Sequence, residues 1–161
     1  MPDFMDPASG VFGEEAFHQL LTREASRATR YQDFFSVCLV RHDGAEHEPD
    51  ESMQQAVARK VTQALRSTDV VARLRDGLAI LLLNAPDADA ARVAERIHAH
   101  LENVSFQSDP AGAARRVTLS MGLASFPRDG HNETVLLSRA QSRLKQAAGR
   151  GGNQVVSSNG A

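Results

Sequence analysis

The sequence is poor in the residue types that mark several common classes of protein. Its 161 residues contain one cysteine, Cys38, so neither a disulfide framework nor a thiolate metal site can form within one chain. Only Lys60 and Lys145 are lysines among 18 basic residues, which are outnumbered by 20 acids. With a net charge of −2 the chain has no excess of positive charge that would attract phosphates, so we expect no nucleic-acid partner.

Long apolar runs are also missing. No stretch approaches the roughly 20 residues of a membrane span, and no signal peptide is visible. Cys38 lies inside the short apolar run FFSVCLV and is predicted to be a buried core thiol. Hydrophobic residues at 42% and charged residues at 24% are typical of a globular domain. We therefore predict a cytoplasmic protein of one domain over residues 1–161, with an ordered core at about 6–156.

Hydrophobic periodicity predicts helices and strands that are interspersed along the chain, with no internal repeat and no linker. The first helix is predicted at 14–30, the second ends near Arg66, the third begins at Pro86 and Asp87, and the fourth carries Leu136 to Ala147. Strands are predicted at 34–40, 70–74, 78–83, 117–126 and 154–156. Between and around them we predict an entry arm at 1–13, a polar loop at 42–49 and an irregular segment at 104–114, and we expect disorder after Ser157. This order predicts an α/β fold in which helices flank a central, mostly antiparallel sheet.

The segment RSTDVVARLRDGLAILLL, residues 66–83, carries the most information. Its two apolar runs predict a hairpin around Asp76-Gly77, a favoured pair for a tight turn. Arg66 and Asp69 precede the hairpin, three residues apart, where a helix is expected to end. The function depends on whether this charged pair or the turn carries the chemistry.

Several segments together resemble the GGDEF domain of diguanylate cyclases. DPASGVFGEEAF is similar to the family's opening DPLTGLxNRxxF, and LRSTDVVARLRDGLAILL is similar to LRxxDxxARYGGDEFxxLL. VTLSMGLASFPRDG is similar to VTxSxGxAxxPxDG, and LLSRAQSRLKQAAGRGGNQV is similar to LLxxADxALYxAKxxGRNxV. The resemblance covers nearly the whole chain in the right order, and it implies the fold of the nucleotidyl cyclases and the polymerase palm.

The same resemblance implies that the catalytic residues are lost. Joining two GTP molecules requires divalent metals held by carboxylates. One family carboxylate ends the first strand, where Arg41 stands, and the signature turn GGDEF is replaced by Arg75, Asp76, Gly77, Leu78 and Ala79. Asp43 survives, but beside Arg41 it is expected to form an ion pair. We therefore predict no bound metal and no cyclase activity.

Two further departures concern the nucleotide. The family loop that supplies polar side chains to the guanine base is shortened here to GAEHEPDE, and the late lysine that contacts phosphate aligns with Ala148. The loop histidines His42 and His47 could suggest a metal, but a polar surface loop is the better interpretation. These losses remove base and phosphate contacts together, which favours a pseudoenzyme.

In many GGDEF domains an RxxD motif before the signature is an inhibitory site that binds cyclic di-GMP. Arginine can donate two hydrogen bonds to guanine, and a carboxylate can accept from its N1–H and amino groups. Arg66 and Asp69 match this motif, and Arg96 matches the arginine that often completes it. Arg73 is expected to flank the ligand or to pair with Asp76.

Other interpretations stay open. In a purely structural one, Arg66 caps the helix carbonyls, Asp69 begins a strand, and Arg96 is the solvated flank of an amphipathic helix. The hypothesis favoured by the resemblance is a degenerate GGDEF domain that acts as a cyclic di-GMP receptor in bacterial signalling. It is expected to contact a protein partner, and a homodimer is a further option. The alternative is a ligand-independent interaction module that docks a partner through Arg41 and residues 75–79; residual enzyme activity has little support.

Overall fold

The computed structural model describes residues 11–43, 51–102, 105–107, 114–116 and 118–158. The predicted entry arm before residue 11 and the predicted loop at 44–49 lie outside the described residues. The elements in chain order are α1 (Glu14–Tyr31), β1 (Phe35–His42), α2 (Glu51–Gln63), β2 (Val70–Leu74), β3 (Gly77–Leu83), α3 (Asp87–Glu102), β4 (Ser105–Gln107), β5 (Ala114–Arg116), β6 (Leu119–Phe126), α4 (Glu133–Gly149) and β7 (Val155–Val156).

Five strands form one sheet in the order β2-β3-β1-β6-β7. Among the strand pairs described for this sheet, β6 and the short edge strand β7 are parallel and the others are antiparallel. Phe12 adds an isolated parallel bridge to Ala72 of β2. Strand β1 is central, and Phe35 at its start lies opposite Leu83 of β3 and Phe126 of β6. The predicted mostly antiparallel sheet flanked by helices is therefore confirmed.

The two faces of the sheet carry separate apolar cores. Because side chains alternate along a strand, Val37 and Leu39 of β1 enter one core while Cys38 and Val40 enter the other. Helices α1 and α4 cover the first face, and α2 and α3 cover the second. Cys38 is buried, as predicted, and desolvation raises the pKa of its thiol to about 12. Among the described residues, no helix has the length and apolar character needed to cross a membrane.

Two features fix α4 against β6. A Cβ on Gly122 would lie 2.2 Å from the carbonyl oxygen of Ala140, so only glycine permits this close approach. Arg143 donates to both carboxylate oxygens of Asp129, at 2.8 and 2.9 Å, and to the carbonyl of Leu123 at 2.7 Å. The turn before α4 is thereby held to the strand that precedes it.

Two predictions about segment bounds were wrong. Helix α2 ends at Gln63 rather than near Arg66, because the next two N–H groups bond three residues back, to Val61 and Thr62. The segment predicted as irregular, 104–114, contains β4 and the first residue of β5, and these two strands pair as a small antiparallel sheet.

The disorder predicted after Ser157 stays a prediction, since residues 159–161 lie outside the described part. The Ser158 hydroxyl donates to a carboxylate oxygen of Asp87 at 2.5 Å.

Candidate functional site

The turn between β2 and β3 consists of Arg75 and Asp76, because Leu74 and Gly77 form the last pair of the hairpin. The sequence predicted a turn around Asp76-Gly77, but Gly77 is the first residue of β3. A Cβ on Gly77 would lie 2.1 Å from the carbonyl oxygen of Val40 in β1. The backbone therefore has no room for a side chain where the GGDEF signature places its first acid.

A cleft of about 210 Å³ opens beside this turn, and we call it the turn cleft. It lies between α1, α4 and the end of β1, and the backbone N–H of Arg75 donates to Glu14 across it at 3.3 Å. Apolar side chains form much of its wall, with exposed Arg41 and Arg75 at its edge. Its lining residues from α1 and α4 are Glu14, Phe17, His18, Leu137, Gln141 and Leu144.

Arg41 and Asp43, at the end of β1, do not pair as the sequence predicted. Asp43 instead accepts hydrogen bonds from the hydroxyls of Thr118 (2.7 Å) and Ser120 (2.6 Å) and from the backbone N–H of Asn153 (2.8 Å). Within the described ranges Arg41 forms no ion pair. The surviving carboxylate is therefore used to join β1, β6 and the segment before β7.

Metal-ligating side chains are spread out in the part of the chain that the structure describes, where no group of three or more His, Cys, Asp or Glu residues could hold an ion. His42, predicted to begin a polar loop, is instead the last residue of β1, opposite Leu119 of β6. Its Nδ1 is buried with no partner among the described residues, and desolvation lowers the pKa of its ring against the opposing effect of Asp43. His47 lies outside the described residues.

Arg66 and Asp69 lie in the connection between α2 and β2 and pair with each other. The Arg66 guanidinium donates to both carboxylate oxygens of Asp69, at 3.1 and 3.2 Å, and the Arg66 backbone N–H donates to the same carboxylate at 3.2 Å. Arg66 Nη2 also donates to the carbonyl of Leu83 at 2.9 Å. The Arg66 side chain is 51% exposed and that of Asp69 is 1% exposed, so the guanidinium presents one edge to solvent from a fixed position.

Arg96 and Arg73, the other predicted ligand residues, have partners as well. Arg96 Nη2 donates to the carbonyl of Ala64 at 3.1 Å, so it reaches the end of α2 that leads into Arg66. The predicted cap on these carbonyls is thus made by Arg96, whereas Arg66 bonds to β3. Arg73 Nη2 donates to the side chain of Gln54. Arg66, Asp69 and Arg96 are therefore gathered at one end of α2, while Arg73 lies on β2.

Sequence reasoning missed the turn between α1 and β1, which lies next to the acceptor of Arg66. Asp33 accepts from Arg27 at 2.9 Å and from the Phe34 backbone N–H at 3.1 Å. With its amide oriented so that the nitrogen faces this carboxylate, Asn84 donates to the two oxygens at 3.1 and 3.2 Å. Hydrogen bonds from Arg27 and the Phe34 N–H lower the pKa of Asp33. No local sequence signal could reveal this hub, because its partners come from different elements.

A second group that the sequence did not reveal joins α1 to the start of α4. His18 Nδ1 lies 2.5 Å from one carboxylate oxygen of Glu133, and the Thr22 hydroxyl donates to the other. His18 also lines the turn cleft. This group fixes the two helices that form the cleft walls.

Comparison with known proteins bears on this site. The family model described as "Diguanylate cyclase, GGDEF domain" matches residues 3–154. The response regulator PleD of Caulobacter vibrioides is 27% identical over 125 residues, which are 77% of this chain and 27% of PleD. The chain thus spans about a quarter of the length of the curated relatives it matches.

Solved structures share the fold. The FimX GGDEF domain of Pseudomonas aeruginosa has a TM-score of 0.86 at 20% identity, over 96% of this chain and 99% of that one. The DgcB GGDEF domain of Caulobacter crescentus, solved in complex with c-di-GMP, has a TM-score of 0.84 at 17% identity over 96% and 93%. SiaD of Pseudomonas aeruginosa, solved with its activator SiaC, has a TM-score of 0.85 at 22% identity over 96% and 61%. Since the family model matches nearly the whole chain, this protein belongs to the GGDEF domain family.

Proposed function

We propose that this GGDEF domain has lost diguanylate cyclase activity and acts as a cyclic di-GMP receptor. Arg66, Asp69 and Arg96 would bind the ligand, Arg73 would flank it, and the occupied state would alter contact with a protein partner in the cytoplasm. The single observation that carries the proposal is the Arg66 guanidinium, which is half exposed and yet oriented by Asp69 and Leu83. A donor held in this way loses little conformational freedom on binding.

The loss of catalysis is supported by the backbone as well as by the side chains. Gly77 abuts the carbonyl of Val40, which leaves no space for an acidic side chain at that position. Arg41 brings a positive charge to the end of β1, where a metal site needs carboxylate oxygens. Asp43, which is nearby in the sequence, already accepts three hydrogen bonds. Metal-assisted joining of two GTP molecules would have to proceed without these groups.

The chemistry of the Arg66 end of α2 suits a guanine base. A guanidinium can donate to guanine O6 and N7, and such a bidentate contact contributes about 1–3 kcal/mol. Arg66 Nη1 has no hydrogen-bond partner among the described residues, so it is available to an incoming acceptor. The bidentate contact also requires Nη2 to exchange its bond to the Leu83 carbonyl for a bond to the base. The DgcB domain, which shares this fold, was solved with c-di-GMP.

Asp69 has a more indirect role in this geometry than the motif suggests. Its carboxylate already accepts from the guanidinium and from the backbone N–H of Arg66, and its side chain is almost fully buried. Contact with a base would require one of these bonds to be exchanged for a bond to guanine. We therefore propose that Asp69 first orients Arg66 and accepts from the ligand only after such an exchange.

Titration calorimetry with cyclic di-GMP tests the proposal. We expect saturable heat with the natural chain and a loss of affinity of about 5- to 150-fold in Arg66→Ala, from the loss of the bidentate contact. Arg139→Ala is the matched control, because Arg139 is an exposed arginine on α4, which covers the other face of the sheet. Absence of heat at high micromolar ligand, or equal affinity in Arg66→Ala, would refute the receptor function.

A ligand-independent interaction module is the second candidate. The turn cleft favours it, because an apolar depression edged by Arg41 and Arg75 and by the acids Glu14 and Asp76 suits a partly apolar segment of a partner that carries both charges. SiaD, a cyclase of the same fold, was solved with a protein activator. The double variant Arg41→Ala with Arg75→Ala distinguishes the two candidates. If the domain is an interaction module, this variant should no longer bind the protein partner. If the domain is a receptor, the variant should bind cyclic di-GMP with unchanged affinity.

A further inference from the structure

Two exposed aromatic rings lie beside the Arg66 end of the sheet. Tyr31 is 66% exposed and Phe34 is 46% exposed, although large apolar side chains elsewhere are mostly buried. Tyr31 is the last residue of α1, and Phe34 lies in the connection that leads from α1 to β1. Tyr31 lies against the Arg30 guanidinium, 5.8 Å from its ring centroid, whereas Phe34 has no ring or cation contact among the described residues. Phe34 is therefore the ring that is free to contact a ligand.

Phe34 is close to Arg66 through a short series of contacts. Phe35, the next residue, lies opposite Leu83 in the β1–β3 ladder, and Leu83 supplies the carbonyl that Arg66 contacts at 2.9 Å. Asn84, which follows Leu83, donates to Asp33, which precedes Phe34. Neighbouring strands are about 4.8 Å apart, so the backbone of Phe34 lies about one strand spacing from the strand end that Arg66 contacts.

Phe34, Arg66 and Arg96 are placed by elements that meet at one end of the sheet. Phe34 directly precedes β1, and Arg66 follows α2 and contacts the end of β3. Arg96 lies on α3 and donates to the carbonyl of Ala64, just after α2.

The turn that carries Phe34 is rigid for an exposed segment. The Phe34 N–H donates to Asp33, and the same carboxylate accepts from Arg27 and Asn84. Gln32 closes α1 in a left-handed conformation (φ 54°), and its N–H donates to the carbonyl of Ala28. A ring fixed in this way binds with a smaller entropy cost than a ring on a mobile loop.

We propose that Phe34 is a stacking platform for a guanine base of the cyclic dinucleotide held at Arg66. The inference rests on the proposed receptor function and adds a residue that selects for a flat purine. Aromatic side chains stack on bases through their π-faces, and each such contact strengthens binding substantially. Arg66 then donates hydrogen bonds to the edge of the base, while Phe34 stacks on its face.

Calorimetry on Phe34 variants tests the inference. We expect Phe34→Ala to weaken cyclic di-GMP binding about tenfold and Phe34→Tyr to stay within about twofold of the natural chain. Val135→Ala is the matched control, since Val135 is an exposed apolar residue (38%) on α4. Phe34 is not part of either core, so circular dichroism should show an unchanged fold in every variant.

Fluorescence gives an independent measurement. The sequence has no tryptophan, so Phe34→Trp introduces a single reporter. Stacking on guanine should quench its emission saturably, and adding Arg66→Ala should remove the quenching at the same ligand concentration. If the natural chain binds cyclic di-GMP, but Phe34→Ala binds it with the same affinity and the emission of Phe34→Trp is not quenched, the stacking role is refuted while the receptor function stands. If the natural chain gives no heat at all, the receptor function itself fails.

Discussion

At the residue scale, the sequence predicted which side chains lie together at the end of α2 but not which atoms they contact. Spacing and resemblance selected Arg66, Asp69 and Arg96, and these three do meet at one end of the helix. Their partners, the carbonyls of Leu83 and Ala64, could not be predicted because a backbone acceptor leaves no mark in the sequence. The predicted Arg41–Asp43 ion pair failed for a related reason, since three donors that satisfy Asp43 come from distant segments.

The pair formed by Arg143 and Asp129 yields a prediction about stability. Both side chains are largely buried, at 14% and 7% exposed, so Arg143→Ala leaves a desolvated carboxylate without its partner. We expect the free energy of unfolding to fall by about 3 kcal/mol, measured by urea denaturation near pH 7. Arg139→Ala, an exposed arginine one turn earlier on α4, should change it by less than about 0.5 kcal/mol. Equal effects of the two substitutions would show that the pair does not stabilise the fold.

The same pair predicts a dependence on pH. Desolvation alone would raise the pKa of Asp129, but hydrogen bonds from Arg143 and the Ser125 N–H, with the charges of Arg143 and Arg128, lower it overall. A lowered pKa means that this carboxylate stabilises the fold above its unfolded pKa of about 3.9 and that the contribution disappears as pH falls below that value. The difference in unfolding free energy between the natural chain and Arg143→Ala should therefore be largest near neutral pH and shrink in acid. A difference that grows in acid would contradict this.

At the scale of elements, periodicity predicted the four helices and the strands of the main sheet, because each has one clear apolar face or run. It failed where that signal is absent: β4 and β5 are three residues each and have no alternating pattern that distinguishes them from a loop. It also misplaced Gly77, because the close approach of β1 that requires a glycine there is a tertiary contact. The order of elements predicted a mostly antiparallel sheet flanked by helices, but no local pattern predicted the strand order β2-β3-β1-β6-β7.

The contact between β6 and α4 gives a prediction at this scale. In Gly122→Ala the new Cβ would meet the backbone of Ala140 and Leu144, at 2.2 and 2.4 Å, and backbone cannot rotate away as a side chain can. We expect a loss of about 3 kcal/mol in unfolding free energy, measured by thermal and urea denaturation. Gly149→Ala is the control, since its Cβ would meet nothing within 4 Å and it lies in α4. That variant should be unchanged or more stable by about 0.5–1 kcal/mol.

At the scale of the whole molecule, a GGDEF fold carries Arg75 to Ala79 at the β2–β3 turn, and we propose that this turn no longer supports catalysis. The fold is shared with domains solved with c-di-GMP or with a protein activator, so the architecture alone fits several functions. The functional distinction lies in a few positions: Arg41 and the turn at residues 75–79 argue against catalysis, whereas the Arg66 end of α2 keeps groups that suit a guanine. Binding and synthesis can therefore be tested separately.

The absence of synthesis is a prediction for the whole domain. Incubation of the chain with GTP and either magnesium or manganese should form no cyclic di-GMP above the level of a protein-free control, as measured by liquid chromatography. A GGDEF relative with an intact signature turn serves as the positive control in the same buffer. Accumulation of cyclic di-GMP in proportion to the concentration of this chain would overturn the assignment as a pseudoenzyme.

The central claim is that this domain binds cyclic di-GMP through Arg66, and calorimetric titration of the natural chain beside Arg66→Ala tests it most directly. We predict saturable binding to the natural chain and an affinity about 5- to 150-fold lower in the variant, with Arg139→Ala unchanged. No measurable heat with the natural chain, or identical isotherms for the natural chain and Arg66→Ala, would contradict the claim.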